Sequence, residues 1–386
     1  MVQGERTDAI TGAAKSSGLQ ALRGAAALAV VTYHAVPGFS FGQAGVDVFF
    51  VISGFIMVYT SARLFGQPGA PRTFFTRRLI RIVPLYWATS AVLLIEILLR
   101  YGNLDAAGTS TMAAVASFFF IPWAQPDGSI SPLHAVGWTL NFEMLFYCLF
   151  AAVVVLPKPR ALLSVTLGLA ALCVGGMVWP DPPTVVRYWS RPLVIEFAFG
   201  IAVAEIVGRV APDRRLALGV LAGGIAVAAA CALFLPTPFG SNEWLRVLAA
   251  GVPAAFLVCA IMLAGEPKHL RPAMAFLGDL SYPLYLTHPL TLAALAILIP
   301  GLWAHRAASG FIEAAFLIGA ALVVATAAYI LLDRPVTNAL RSTLARQVPR
   351  RKHDAERQGI GQWSGLADPA GKAHPVPVKP DAIGGA

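Results

Sequence analysis

The sequence predicts an all-α polytopic membrane protein, a bundle of about ten transmembrane helices, and three observations point there. Of its 386 residues, 57% are hydrophobic and only 13% are charged, about half the ~25% charged fraction of soluble domains. Apolar runs of the ~20 residues needed to cross hydrocarbon recur along the chain, and its mean hydropathy is +0.68. The 35 glycines and 28 prolines fit membrane helices, which carry more of both than soluble helices do. A water-soluble single domain, a disordered chain and a secreted disulfide scaffold are excluded. Cys148, Cys173, Cys231 and Cys259 lie far apart in apolar runs and read as small core residues, with no metal or disulfide framework. The net charge of +9 does not imply nucleic acid, because the basic residues sit between apolar runs and not on one soluble face.

The predicted spans cover residues 20–37, 44–62, 79–99, 134–156, 161–179, 191–209, 215–235, 244–264, 278–300 and 309–332. Segment 112–122 is apolar but too short to cross before Pro122, so it reads as a re-entrant or interfacial piece. Lysine and arginine counts orient the bundle, since retained cytoplasmic loops carry the excess. With a cytoplasmic N-terminus, one side holds Arg63, Arg72, Arg77, Arg78, Arg81, Lys158, Arg160, Arg209, Arg214, Arg215, Lys268 and Arg271. The other holds Arg100, Arg187, Arg191, Arg246 and Arg306. Twelve against five supports an even number of spans with both ends cytoplasmic. The first 18 residues are polar and contain no signal-peptide core, so the first span is expected to remain uncleaved. Three regions follow: a cytoplasmic tail over 1–18, a transmembrane domain over 19–336 and a basic cytoplasmic tail over 337–386, expected to be disordered from about residue 345. No internal repeat is visible.

Ionisable side chains deep in a span cost about 2.5 to 3.5 kcal/mol each on insertion scales, which makes them functional candidates. In the first span Arg23 and His34 are eleven residues apart, three helical turns plus about 20°, so they point the same way roughly 16 Å apart along the axis. Arg23 fits either snorkelling to the cytoplasmic interface or a functional cation; His34 fits either an interhelical hydrogen bond or a cavity-lining base. In the fourth span Thr139, Glu143 and Tyr147 repeat at i, i+4 and make a polar stripe. Glu143 can pair with His34 and fix its tautomer, as a carboxylate does in acyl transfer, or form a buried structural ion pair. Asp47 lies near the outer interface of the second span, while Ser53 beside Gly54 reads better as a small-residue helix contact than as a nucleophile. Arg77, Arg78 and Arg81 lie at the start of the third span. They serve topology, or, at a helix N-terminus, form a phosphate site from charge and backbone N–H donors together. In the ninth span Tyr285 and His288 share a face, and Pro289 frees carbonyls that His288 can satisfy. There is no P-loop, dinucleotide fingerprint, H-E-x-x-H or C-x-x-C, and no metal is expected.

The segments LRGAAALAVVTYHA, GVDVFFVISGF, RRLIRIVPLYW, GWTLNFEMLFY, IEFAFGI, LSYPLYLTHPL and LDRPV run in order from about residue 19 to 336. Together they resemble the integral-membrane acyltransferase-three family, most closely its exopolysaccharide acetyltransferase branch. Two departures stand out: the family often has Trp-Ser-Leu-x-x-Glu where Trp138-Thr139-Leu140 leads to Glu143, and Glu-Arg-Pro where Asp333-Arg334-Pro335 stands. The resemblance implies a ten-span bacterial inner-membrane enzyme moving an acyl group, usually acetyl, from cytoplasmic acyl-CoA to a hydroxyl of a free or lipid-linked saccharide. It makes Arg23 and His34 the functional pair. On that reading Arg77, Arg78 and Arg81 hold the CoA phosphates, and His34 takes the acceptor proton or carries the acyl group. Glu143 or Asp47 orients its ring, Arg23 guides the cofactor or the developing oxyanion, and Trp138, Tyr147, Tyr285 and His288 support the substrate. Two rival classes stay open. One is a flippase for a lipid-linked saccharide, with His34, Glu143 and His288 as a proton relay; the other is a scaffold tied together by polar contacts. The arginine cluster is a feature a flippase does not need.

Overall fold

The structure, a computed structural model, describes residues 16–235, 239–240, 242–265, 271–299 and 310–347. Lys268, Arg306 and the tail beyond residue 347 lie outside the described residues, as does the side chain of Arg271. The described chain is helical with no strand. Its elements are α1 (Ser17–Ala35), α2 (Ala44–Thr60), α3 (Ala70–Tyr101), α4 (Thr111–Phe118), α5 (Trp138–Val153), α6 (Lys158–Val178), α7 (Thr184–Trp189) and α8 (Glu196–Val207). Then come α9 (Arg214–Phe234), α10 (Glu243–Ala264, with a π-helical segment at Val247–Gly251), α11 (Arg271–Leu298), α12 (Phe311–Ala328) and α13 (Arg334–Gln347). A compact unit ends at Ala339 and a second begins at Leu340.

Among the described residues each predicted span overlaps a helix, but seven helical segments, not ten, are long and apolar enough to cross a membrane. Those containing α2, α5 and α10 are half or more buried, whereas α9 and α12, among the most apolar, are mostly exposed. Helices that are apolar on their open faces are lipid-facing, so α2, α5 and α10 form the interior and α3, α6, α9 and α12 the rim. The α1, α8 and α11 helices are not among the seven. Arg23 and His34 lower the hydropathy of α1, Asp279, His288 and two internal prolines lower that of α11, and α8 is short.

Packing positions these polar helices inside. The α1 helix lies along α11 and α2, and α2 lies along α8. At the last crossing the backbones touch: a Cβ at Gly54 would overlap the Phe197 carbonyl oxygen, and one at Gly200 the Val51 carbonyl oxygen. The small-residue contact expected beside Ser53 is therefore made by Gly54. Aromatic rings fill the space between α2, α5 and α8, with Phe146 stacked on Phe197 at 4.5 Å and Phe142 on Tyr188 at 4.8 Å.

One sequence expectation shifts, and that for the short apolar piece at 112–122 holds. The third helix begins at Ala70, with Gly69 before it and Pro71 in its first turn, the residues that favour a helix start. Arg77, Arg78 and Arg81 are therefore two to three turns inside the helix. The backbone N–H donors invoked for a phosphate site are committed to helical hydrogen bonds, and only the side chains remain to make it. The apolar piece at 112–122 contains α4, two turns capped by Ser110, whose side chain accepts from the Ala113 N–H. At about 1.5 Å per residue it is far too short to cross. It packs on α3, where Tyr86 Oη donates to the Ser117 carbonyl at 3.1 Å.

Candidate functional site

The polar side chains predicted from sequence gather in three groups. At the end of the bundle formed by the starts of α1 and α3 and the end of α2, Arg78 Nη2 donates to Thr60 Oγ1 at 2.5 Å while its guanidinium lies 5.6 Å from the Phe74 ring centroid. Its Nε is buried and has no hydrogen-bond partner among the described residues. Arg81 pairs with Asp333 at 3.5 Å and stacks 5.3 Å over Tyr282. Arg77 is exposed. Of the three cations, Arg78 is the one with a buried donor left uncommitted among the described residues.

The second group is deeper. Glu143 accepts from Tyr147 Oη one helical turn away and from Ser53 Oγ at 3.2 Å. Arg23, half-buried, donates to Gln20 Oε1 at 3.0 Å and is in electrostatic reach of Arg81, Asp279, Glu143 and Tyr147. Sequence reasoning assigned Ser53 to packing; the structure makes it a partner of Glu143. The i, i+4 stripe on α5 held the signal for Tyr147, and nothing in the sequence held one for Ser53.

The third group lies toward the other end. His34 is half-buried, and its Nδ1 lies 2.9 Å from the Val30 carbonyl oxygen and 3.2 Å from Nε2 of His288. His288 is fully buried, and its Nδ1 lies 3.1 Å from the Leu284 carbonyl oxygen. The His34 ring thus turns inward, toward α11. Tyr285, whose ring centroid is 6.1 Å from that of His288, has its hydroxyl within 3.0 Å of the Val136 carbonyl and 2.9 Å of Thr139 Oγ1.

Among the described residues, the hydrogen bonds of the two carboxylates expected to orient His34 go to other groups. Glu143 belongs to the Tyr147 and Ser53 contacts. Asp47, fully buried, takes a forked interaction from Arg246, with Nη2 at 2.9 Å and Nε at 3.1 Å. Arg246 had been counted only as a loop charge; Coulomb attraction to a carboxylate with no access to water draws it in. Glu196, also fully buried, interacts with this pair. Beside it Arg191 is salt-bridged to Glu243, and its guanidinium lies 5.2–5.5 Å from the rings of Trp138, Phe142 and Tyr188. Arg246 lies 5.9 Å from the same Trp138 ring. Trp138 therefore braces two arginines, a packing role that the sequence had not separated from substrate support.

Comparison with known proteins bears on the chemistry. A family model described as an acyltransferase domain matches residues 16–330. The exopolysaccharide production protein ExoZ of Rhizobium meliloti is 35% identical over 320 residues, covering 80% of this chain and 93% of that protein. The putative membrane-bound transacylase BcsY of Komagataeibacter xylinus is 28% identical, covering 70% and 71%. The peptidoglycan O-acetyltransferase OatA of Listeria monocytogenes is 25% identical, covering 82% of this chain and 55% of its own length. No solved structure matches.

Proposed function

Because this chain belongs to the acyltransferase 3 family and is a multi-pass membrane enzyme, we propose that it moves an acetyl group from cytoplasmic acyl-CoA to a hydroxyl of an envelope or exopolysaccharide sugar. The acceptor class follows its relatives, which are named for exopolysaccharide production and peptidoglycan O-acetylation. Family membership also sets aside the flippase and scaffold readings. In the proposed topology the seven apolar segments are joined by α1, α8 and α11 to make ten spans of a bacterial inner membrane. Both ends are cytoplasmic, a reading the arginine and lysine bias supports, with the catalytic domain over 19–336 between the tails 1–18 and 337–386.

The observation that carries this reading is the file of polar groups along α1. Arg23 interacts with Arg81, Glu143 and Tyr147 toward the basic end, and His34, on the same face three turns on, meets α11 toward the other. Arg78, whose Nε has no partner among the described residues, and Arg81 receive the phosphates of the donor, and Arg77 adds charge at the mouth. Arginine suits phosphate because its planar fork offers several donors at once. His34 acts as general base: its ring nitrogen takes the proton of the acceptor hydroxyl as that oxygen bonds to the thioester carbonyl carbon. As the C–S bond breaks, the same proton passes to the leaving sulfur, so His34 ends as it began. Arg23, roughly 16 Å from His34 along the helix axis, adds positive charge that guides the anionic donor from the basic end toward His34.

The test is a proteoliposome assay with radiolabelled acetyl-CoA and an acceptor glycan. His34→Ala, inserted at the wild-type level, is expected to transfer no label above background. Undiminished labelling by that variant would remove His34 from the chemistry.

A further inference from the structure

Among the described residues the carboxylates that sequence reasoning offered as partners for His34 hydrogen-bond elsewhere, and His288 is a group that does reach its ring nitrogen. The contacts of the two histidines settle which ring nitrogen holds the proton by donor and acceptor accounting. A carbonyl oxygen only accepts, so the 3.1 Å contact to Leu284 requires a proton on Nδ1 of His288. The neutral ring then presents a lone pair at Nε2, and that nitrogen faces Nδ1 of His34 at 3.2 Å. The same His34 Nδ1 faces the Val30 carbonyl oxygen at 2.9 Å. A lone pair there would oppose a carbonyl lone pair, so His34 Nδ1 carries its proton, shared between Val30 and His288. The reverse polarity would need a doubly protonated, charged His288 at a position shut off from solvent, and it would leave the Val30 repulsion in place.

We propose that His288 is a positioning residue which shares the Nδ1 proton of His34 with the Val30 carbonyl and so strengthens the hold on the tautomer whose Nε2 is the base. The inference rests on the acyl-transfer reading, in which His34 abstracts the acceptor proton. The role open to His288 in the sequence, satisfying a carbonyl near Pro289, uses only its Nδ1 and leaves Nε2 available for this one. A polarity chain results: the Leu284 carbonyl accepts from His288, and His288 accepts from His34. When Nε2 of His34 takes the hydroxyl proton, the new positive charge is met by a neutral imidazole and a carbonyl dipole. Tautomer control of this kind matters. In the serine-protease triad, a base held in the wrong tautomer costs about 10⁴ in kcat.

The experiment uses the full chain in proteoliposomes with acetyl-CoA and an acceptor glycan, comparing His288→Gln with His288→Leu. The glutamine amide oxygen can accept the His34 proton where His288 Nε2 stood; leucine fills the space and accepts nothing. Leucine should lower kcat by at least ~10², the low end for general-base catalysis, with the acetyl-CoA KM unchanged within about threefold, and glutamine should recover most of the loss. Nitrogen-15 spectra of histidine-labelled protein should show His34 protonated at Nδ1 in the wild type and a larger Nε2-protonated fraction in the leucine variant, where only the Val30 carbonyl still accepts the Nδ1 proton. Equal kcat in the two variants, or an unchanged tautomer in the leucine variant, would overturn the proposal. If His34→Ala is inactive while His288→Leu turns over normally, this inference alone fails. If His34→Ala remains active, the acyl-transfer reading of His34 falls first and this inference falls with it.

Discussion

Truncating Arg246 to alanine separates the stabilising role of the Asp47 pair from the orienting role expected of Asp47. The Asp47 side chain has no solvent exposure and that of Arg246 only 11%. Three nitrogen–oxygen contacts of 2.9–3.3 Å join them, and Arg246 Nη2 also donates to the Gln43 carbonyl at 3.3 Å. Removing one partner of such a pair strands a buried charge and costs about 3–5 kcal/mol, whereas removing both charges together is often close to neutral. At ~2 °C per kcal/mol, the low end for domains of up to about 250 residues, Arg246→Ala should lower the unfolding midpoint by roughly 6–10 °C. The double variant Asp47→Asn, Arg246→Leu should regain more than half of that. The assay is intrinsic-fluorescence thermal unfolding in detergent, with acetyl transfer measured well below the midpoint. Residual turnover of folded Asp47→Asn should be near wild type, since Asp47 does not touch His34. The reasoning is refuted if Arg246→Ala unfolds within about 1 °C of wild type, or if the double variant is no more stable than the single one.

Two further outcomes follow from the packing and from the basic end of the bundle. Arg78→Ala should raise the acetyl-CoA KM about tenfold or more and Arg77→Ala much less, because Arg78 has a buried donor to give and Arg77 is exposed; initial-rate titration of acetyl-CoA decides it, and equal effects would count against the assignment. Gly54→Ala should destabilise by about 1–3 kcal/mol through overpacking against Phe197. Gly168→Ala, where an added methyl meets nothing within 4 Å, should be neutral or stabilising by up to ~1 kcal/mol, read by the same unfolding assay.

Which parts of this molecule the sequence reveals follows from the range of each interaction. Hydrophobic runs are local, and among the described residues every predicted span overlaps a helix. The i, i+4 stripe on α5 is local too, and Tyr147 does contact Glu143. Helix starts were read from where apolar runs begin, and this misplaced α3: Gly69 and Pro71 mark its true start nine residues before the predicted span, which put Arg77, Arg78 and Arg81 at a terminus they do not occupy. Partner choice is not local. Asp47 and Arg246 are 199 residues apart, and His34 and His288 are 254 apart. A histidine, two carboxylates and several arginines permit many pairings, and only the order of helices around α1 and α2 selects among them.

That selection has an energetic logic. The hydropathy that identifies a span is lowered by the groups a membrane enzyme needs, so α1 and α11, which carry Arg23, His34, Asp279 and His288, fall outside the clearly apolar set. Such helices are poor candidates for lipid contact and good ones for contact with each other, because an ionisable group in hydrocarbon is costly until it finds a partner. The extensive packing of α11 on α1 is the expected result, and it is the same contact that brings the two imidazoles within hydrogen-bonding distance. The apolar helices α9 and α12 take the lipid-facing positions for the complementary reason. In this chain the penalty for polar residues sorts helices between rim and centre, and the two that it drives together are the pair that bears the histidines.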